Sequence, residues 1–514
     1  MLLCFFLGVV ITGIASRKEI KKILNIMPQY NNKLEAVIDY VETKYADKIS
    51  RKELEELAIP LFLEALDPHS AYIPSLKTQA IEDELEGNFE GIGVQFYIYD
   101  DTVYVVKVIS DGPSEKAGLL AGDRIINVND ITIAGIGITN DSVMKKLKGK
   151  SGSIVNLDIK RKGHDQFLKI PIKRGSIPIS SIDAFYLIDK ETGYIKISNF
   201  SRTTHDEFLK DVLKMKKSGI KSLIVDLRGN SGGYMFSVID IVDEFLEEGK
   251  AIVYTEGNAS KRVDYIATSK KTNFIDLNIA ILIDELSASA SEIFAGAIQD
   301  NDRGIIIGRR SFGKGLVQEA VKFTDGSVLR LTVSRYYTPS GRCIQRPYNN
   351  GTKEYYSDQY LRYAYGDTAN YYSDTAKIYF TSKGRKVYAG GGITPDITIP
   401  LDTSGYSKLY SDINRKNVAY LFAIKFVDNN RQALKTITTI NTLEKYIQKN
   451  NVYEQFWDYA QNNGIEINNN DLIISKNHIE NLILAYIARQ TLDENAFFRI
   501  FNRNDNYLKD IIFY

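Results

Sequence analysis

The sequence has little cysteine, little histidine and almost no net charge, and each shortage argues against a class of function. Cys4 and Cys343 are its only cysteines. The first lies in an apolar leader, so no disulfide framework is expected and the redox compartment is left unmarked. Basic and acidic residues number 65 and 64, a formal net charge of +1. The basic excess of nucleic-acid binders is missing, and no nucleic-acid partner is expected. Histidine, the usual base for a serine nucleophile, occurs only as His69, His164, His205 and His478. His164 falls in a KGHDQ turn, His205 in the first turn of a helix and His478 in a C-terminal helical stretch. That leaves His69, beside Pro68, as the one histidine open to a catalytic role. Beyond the leader no run is long and apolar enough to span a bilayer, and no internal repeat occurs.

The 514 residues are 44% hydrophobic and 25% charged, which suits a soluble chain of several domains. Residues 1–16, MLLCFFLGVVITGIAS, have the length and apolarity of a signal-peptide core and are followed by Arg17, Lys18, Lys21 and Lys22. A signal peptide or membrane anchor is expected there, although the usual basic n-region is absent. Residues 17–85 carry helical spacing in KLEAVIDYVETKYAD and RKELEELAIPLFLEAL, and then meet a turn at LDPHSAYIP. Residues 86–175 read as short strands (GIGVQFYI, VYVVKVI, DRIINVN, IVNLDIKR) with one helix, NDSVMKKLKG, capped by Asn140 or Asp141. Over 176–400 strands and helices alternate, the pattern of a layered α/β core. Within it Thr204 and Glu207 have capping-box spacing. The Tyr- and Asp-rich stretch around 345–385 lacks periodicity and reads as an insertion or long surface loop. Residues 401–514 look mostly helical.

Three strings in the α/β region carry the chemistry. The buried strand IAILID leads through SASAS into a helix, placing Ser289 at the turn. There the N–H of Ala290 and the helix N-terminus would face an oxyanion. Alone the signal is weak, since serines at helix starts are mostly caps. The second string is SFGKGLVQ, Ser311 to Gln318, with Lys314 between two glycines about 25 residues after Ser289. A lysine serves as base only when neutral, so its pKa must fall by roughly three units from ~10.4, which desolvation can achieve. The third string is DLRGNSGG, Asp226 to Gly233, whose glycines after a buried strand can offer N–H groups to an anion. Together they supply a nucleophile, a base and oxyanion donors, the parts of an acyl-transfer site.

DLRGNSGG, ELSASASEIFAGAIQD and GRRSFGKGLVQ, in that order, resemble the carboxy-terminal processing peptidases, or tail-specific proteases. FEGIGVQF and GPSEKAGLLAGDRIINVND resemble their PDZ module, and LDPHSAYIP and GGITPDITIP resemble further turns of the family. The likeness runs over roughly residues 30–400 and leaves the last hundred outside. It implies a multidomain α/β fold: a crotonase-like protease core, an inserted PDZ domain, a helical N-terminal segment and here a helical C-terminal region. It further implies that Ser289 is the nucleophile, Lys314 the general base and Gln318 the residue orienting the lysine. The oxyanion hole would be Ala290 with Gly232 or Gly233. The PDZ loop Gly91–Ile92–Gly93–Val94 would take the C-terminal carboxylate of a protein or peptide substrate, with strand addition supplying the rest of the affinity. No metal or other cofactor is implied. The implied location is exported, either periplasmic or anchored to the outer face of the inner membrane. Membrane association through the leader and homo-oligomerisation remain open expectations. One departure from the family pattern is Glu285–Leu286, where a glycine is common beside the serine run.

Two other readings compete. GRRSFGKG is close to a Walker A loop, but Gly315 stands where Ser or Thr must hold magnesium. A PDZ-bearing scaffold with a degenerate core is the second, and the presence of Ser289, Lys314 and Gln318 together argues against it.

Overall fold

The computed structural model describes residues 32–268, 273–365 and 377–509. The leader expected over 1–16 lies outside them. The described residues form two compact units, one from residues 32–78 with Glu319–Thr332 and the other from the described residues of 79–318 and 333–509.

In the first unit, helices α1 (Lys33–Lys44) and α2 (Arg51–Glu64) are followed by a short strand, β1 (Ala71–Ile73), antiparallel to Val328–Arg330. Ser50 and Glu53 form a reciprocal capping box at the start of α2. The Asp67 carboxylate closes the turn read in LDPHSAYIP, accepting from the N–H groups of His69 and Ser70 at 2.8 Å each. Helix α3 (Ser75–Glu86) follows, with its first turn in this unit and residues 79–86 in the second.

In the second unit, β2 (Asn88–Gly91) and β9 (Gly175–Pro178) make an antiparallel ribbon that opens and closes the PDZ-like module. Its sheet has the order β3-β4-β5-β7-β8, with β6 paired to β5. These strands are β3 (Val94–Tyr99), β4 (Thr102–Val108), β5 (Arg124–Val128), β6 (Ile131–Thr132), β7 (Ile154–Lys160) and β8 (Leu168–Lys173). Inward positions such as Val103, Val105, Leu157 and Ile159 alternate with outward ones to build its core. A one-turn helix, α4 (Pro113–Lys116), and α5 (Asn140–Leu147) complete it. The cap of α5 is Thr139, whose Oγ1 accepts from the Ser142 N–H at 3.3 Å, so the expected cap moves back one residue from Asn140 or two from Asp141.

The core sheet has the order β10-β11-β12-β15-β16-β21. These strands are β10 (Ile182–Leu187), β11 (Thr192–Ile197), β12 (Ser222–Asp226), β15 (Asn278–Ile283), β16 (Ile305–Gly308) and β21 (Ile397–Thr398), parallel from β11 onward. Parallel pairing needs crossovers. Helix α6 (Thr204–Lys217) links β11 to β12, α7 (Met235–Asp243) follows β12, and α8 (Ala290–Asp300) links β15 to β16. The N-cap of α6 is Thr203 and no capping box forms. The Thr203 hydroxyl instead donates to Glu207 at 2.6 Å, which corrects the Thr204 reading by one position. Burial on both faces explains why β12 and β15 read as unbroken apolar runs. Leu223, Val225, Ile279, Ile281 and Ile283 face the helices. Ile224, Ala280, Leu282 and Ile307 face the other way, onto Tyr194 and Tyr507.

Outside this sheet, β13 (Ala251–Glu256) pairs with β14 (Val263–Ile266) and with residues 335–337 of β18 (Val328–Tyr337). Strand β17 (Leu316–Lys322) precedes β18. Part of the stretch read as a loop is helical: α9 covers Thr352–Tyr365, and β19 (Ile378–Phe380) pairs with β20 (Lys386–Tyr388). Tyrosine blurs the hydrophobic pattern there, because the ring of Tyr355 is buried while that of Tyr360 is exposed. The C-terminal region is helical as read: α10 (Lys408–Arg415), α11 (Val418–Leu434), α12 (Ile440–Lys449), α13 (Val452–Asn462), α14 (Asn469–Thr491), α15 (Glu494–Phe501) and α16 (Asn506–Lys509). It has its own core, including Phe422, Phe426, Phe456, Ile483 and Ile487.

Candidate active site

The three strings lie far apart in sequence and leave the sheet side by side. DLRGNSGG follows β12, the Ser289 turn follows β15 and GRRSFGKG follows β16, and these strands are neighbours in parallel register. The crevice beyond the carboxyl ends of parallel strands is where such sheets bind ligands. The string that resembled a Walker A loop runs into strand β17, not a helix. It therefore lacks the helix N-terminus that would face phosphates.

Ser289 adopts φ 55° and ψ −113°, a left-handed setting that costs a residue with a Cβ on the order of 1–3 kcal/mol. Its neighbours hold it there. Asp284 Oδ1 accepts from the N–H groups of Gly229, Leu286 and Ser287 at 3.0–3.1 Å. The Ser287 hydroxyl donates to Leu227 O at 2.8 Å and the Ser291 hydroxyl to Asn230 O at 2.9 Å. These bonds brace the serine turn against the DLRGN loop. The departure at Glu285 has a partner too: its carboxylate receives two bonds from Arg309, at 2.7 and 2.9 Å.

Glu292, which stands in the string SEIFAGAI and is not among the residues the sequence singles out, lies at the centre of the site. It is fully buried. Oε2 accepts from the N–H groups of Ser289 at 2.9 Å and Lys314 at 2.8 Å. Oε1 accepts from the Ser311 hydroxyl at 2.5 Å and the Gly313 N–H at 2.7 Å. One carboxylate thus fixes the backbone at both Ser289 and Lys314. Burial pushes its pKa up to about 7 against the pull of these donors, which favour the ionised form. The available signal was a lone acid in SEIFAGAI, a helix buried at every position. Such an acid must find partners.

The buried Tyr336 adds a second tie. Its hydroxyl lies 3.2 Å from Ser289 O and closer still to Lys314 O. Lys314 is half-buried, and its Nζ donates to Gln318 Oε1 at 2.9 Å. Gln318 sits on β17, so the lysine is oriented by a strand residue.

The glycine pair separates cleanly. The Gly232 N–H donates to Asn230 Oδ1 at 2.8 Å, while Asn230 Nδ2 donates to Ile197 O at 3.0 Å. Among the described residues neither the Gly233 N–H nor the Ala290 N–H has an acceptor. Gly232 has φ 109°, and a Cβ there would stand 2.7 Å from that of Ser289; at Gly233 it would stand 2.2 Å from Phe200 O. Only glycine fits this close approach. At the loop's entrance, burial raises the Asp226 carboxyl, but Arg228 and Lys196 overcome this and hold it well below the usual range.

The structure brings Ser289, Ala290, Gly232, Gly233 and Lys314 together beyond the carboxyl ends of neighbouring strands, with Gln318 bonded to Lys314. The Gly91–Ile92–Gly93–Val94 loop belongs to a different sheet and leads into its edge strand β3. Ile92 O accepts from the Ser114 N–H and Gly93 O from the Ile109 N–H, at 3.0 Å each. Among the described residues the N–H groups of Ile92 and Gly93 have no acceptor.

The profile of peptidase family S41 matches residues 191–353, that of the PDZ domain residues 91–172, and that of a family of unknown function, DUF8443, residues 409–493. A carboxy-terminal-processing protease of Bartonella bacilliformis is 36% identical over 315 residues, 60% of this chain and 71% of that protein. The carboxy-terminal processing protease CtpB of Bacillus subtilis (strain 168) is 35% identical over 318 residues, 61% of this chain and 65% of that protein. The chain thus spans a little under two thirds of the Bacillus relative's length. Among solved structures, a photosystem II D1 C-terminal processing protease is similar at 27% identity and a TM-score of 0.34, over 61% of this chain and 89% of that one. The chain belongs to the carboxy-terminal processing proteases of peptidase family S41.

Proposed function

We propose that this chain is a serine peptidase that hydrolyses protein substrates near their C-termini, using Ser289 as nucleophile and Lys314 as base. The observation that carries this reading is the meeting of a strained, half-buried serine with two uncommitted N–H groups and a lysine held by Gln318. Neutral Lys314 takes the Ser289 hydroxyl proton as Oγ adds to the scissile carbonyl. The N–H groups of Ala290 and Gly233 receive the oxyanion, a term that accounts for much of the rate in such sites. Collapse breaks the C–N bond, and Lys314 passes its proton to the leaving amine. Water, deprotonated by the same lysine, then cleaves the acyl ester and restores Ser289. Gln318 Oε1 holds Nζ in place throughout.

The PDZ loop supports the second half of the reading. A free carboxylate would accept from the N–H groups of Ile92 and Gly93, and the peptide would extend the sheet along the open edge of β3. Residues 1–16 would export the chain or hold it at the outer face of the inner membrane. Among the described residues no helix is long and apolar enough to cross a membrane.

The test is cleavage of a fluorescent protein with an apolar C-terminal tail by the parent chain, Ser289→Ala and Lys314→Ala. Degradation by the parent alone supports the dyad. Full activity of Lys314→Ala would reject the base, and a parent indifferent to Ser289→Ala would be a scaffold. Amidating the tail carboxylate examines the PDZ role.

A further inference from the structure

The last residues described in the C-terminal region reach the site from behind, and no family resemblance accounts for them. Asn495 Oδ1 accepts from the Phe185 N–H on edge strand β10 at 2.8 Å, and Asn502 Nδ2 donates to the Tyr186 hydroxyl at 2.9 Å. From there the chain crosses to the carboxyl ends of the strands. The Asp505 carboxylate pairs with Arg228 at 2.7 Å, and the Tyr507 ring lies 4.5 Å from the Arg228 guanidinium carbon. The Tyr507 hydroxyl receives a bond from Arg309 Nη1 at 2.5 Å. Tyr507 is 6% exposed and joins Ile224, Leu282 and Ile307 in the apolar layer on the sheet's second face. Burial pushes its hydroxyl up to about 12, so it remains neutral at ordinary pH.

The two arginines stand at the roots of two different arms. Arg228 opens the loop that ends in Gly233, and Arg309 opens the loop that ends in Lys314. Each is also fixed by an acid of its own layer: Arg228 by Asp226 at 2.6 Å, Arg309 by Glu285 at 2.7 Å. Asp505 and Tyr507 are therefore the point at which one segment holds the oxyanion arm and the base arm together.

We propose that Asp505 and Tyr507 are positioning residues for the proteolytic site, so that the C-terminal region sets the spacing between the Gly233 and Lys314 arms. The proposal rests on the peptidase reading above for its kinetic consequence but not for its structural one. A shift of either arm would misplace a donor or the base while leaving the PDZ loop untouched, and small misplacements of such groups are costly in rate.

The experiment uses the full chain with Tyr507→Ala, Asp505→Asn and Tyr507→Phe. The first two should lower kcat about tenfold while KM stays within about twofold. Tyr507→Phe, which keeps the ring over Arg228, should recover part of the loss. Amide hydrogen exchange in residues 227–233 and 309–315 should quicken in the first two variants, with residues 103–108 of the PDZ sheet unchanged. Unchanged kcat and unchanged exchange in a folded variant would overturn the proposal, and so would equal losses in KM and kcat with exchange rising everywhere. If the parent chain itself has no peptidase activity, the peptidase reading fails, and the exchange pattern alone decides whether the pin exists. If Tyr507→Ala does not fold, Tyr507→Phe and Asp505→Asn carry the same decision.

Discussion

Two glycine loops in this chain offer N–H groups to an oxygen, and they are held in different ways. The Gly91–Val94 loop is fixed by bonds to its own carbonyls, from Ser114 and Ile109, with Ile92 buried in the PDZ core. The Gly229–Gly233 loop is braced by buried side chains from several elements: Asn230 onto Ile197 and Gly232, Asp284 onto Gly229, Ser291 onto Asn230. The difference follows the ligand each would meet. A terminal carboxylate is charged from the start, and a loop that adjusts to it loses little. An oxyanion exists only at the top of the barrier, so its donors must already be in place.

The comparison can be broken by changes of decreasing size. The largest is loss of the chemistry itself: Ser289→Ala or Lys314→Ala should cost several orders of magnitude in kcat with the fold intact, as for other nucleophile–base pairs. Next is the brace. Asn230→Ala frees the Gly232 N–H and loosens the loop, and kcat should fall by about a hundredfold, near the cost of losing an oxyanion donor. An effect confined to KM would show that the catalytic loop does not need its scaffold. The matching change in the other loop is Gly93→Ala. Gly93 has φ 76°, and its Cβ would stand 2.9 Å from Ile177. Here KM for a tailed substrate should rise about tenfold with kcat within about twofold; a fall in kcat would erase the contrast.

The smallest effect is read in stability. Glu292 keeps its proton in the folded state up to about pH 7, whereas the unfolded chain releases it near ~4.3. Between those values the folded state binds more protons, so stability falls as pH rises, by up to roughly 1.4 kcal/mol per unit. Glu292→Gln removes that slope, and urea melts at about pH 5 and about pH 7 would detect it. Parallel slopes in both proteins would separate the burial of Glu292 from the pH response.

Much of this was legible in the sequence, because periodicity and turn chemistry are local. IAILID reads as a buried strand, and DLRGNSGG, SASAS and SFGKGLVQ as the strings that carry the chemistry. The cap of α5 lies one residue before Asn140 and two before Asp141, and that of α6 one before Thr204, since the competing residues are adjacent and each can cap. Helix α9 was hidden by tyrosines that serve either face. What the sequence could not carry was partnership across the chain. Glu292 binds the Lys314 arm 21 and 22 residues away, at Gly313 and Lys314, and the proposed choice of Gly233 over Gly232 rests on where the Asn230 amide points. No local pattern records either fact.

The backbone of Ser289 has a further consequence. A glycine at that position would adopt φ 55° freely, so the chain would fold more favourably without its serine. On the proposed peptidase reading, drift toward an inert scaffold is therefore downhill for folding, and the use of the hydroxyl as nucleophile is what opposes it. A lineage that had stopped cutting peptides would have had a standing inducement to lose this residue first.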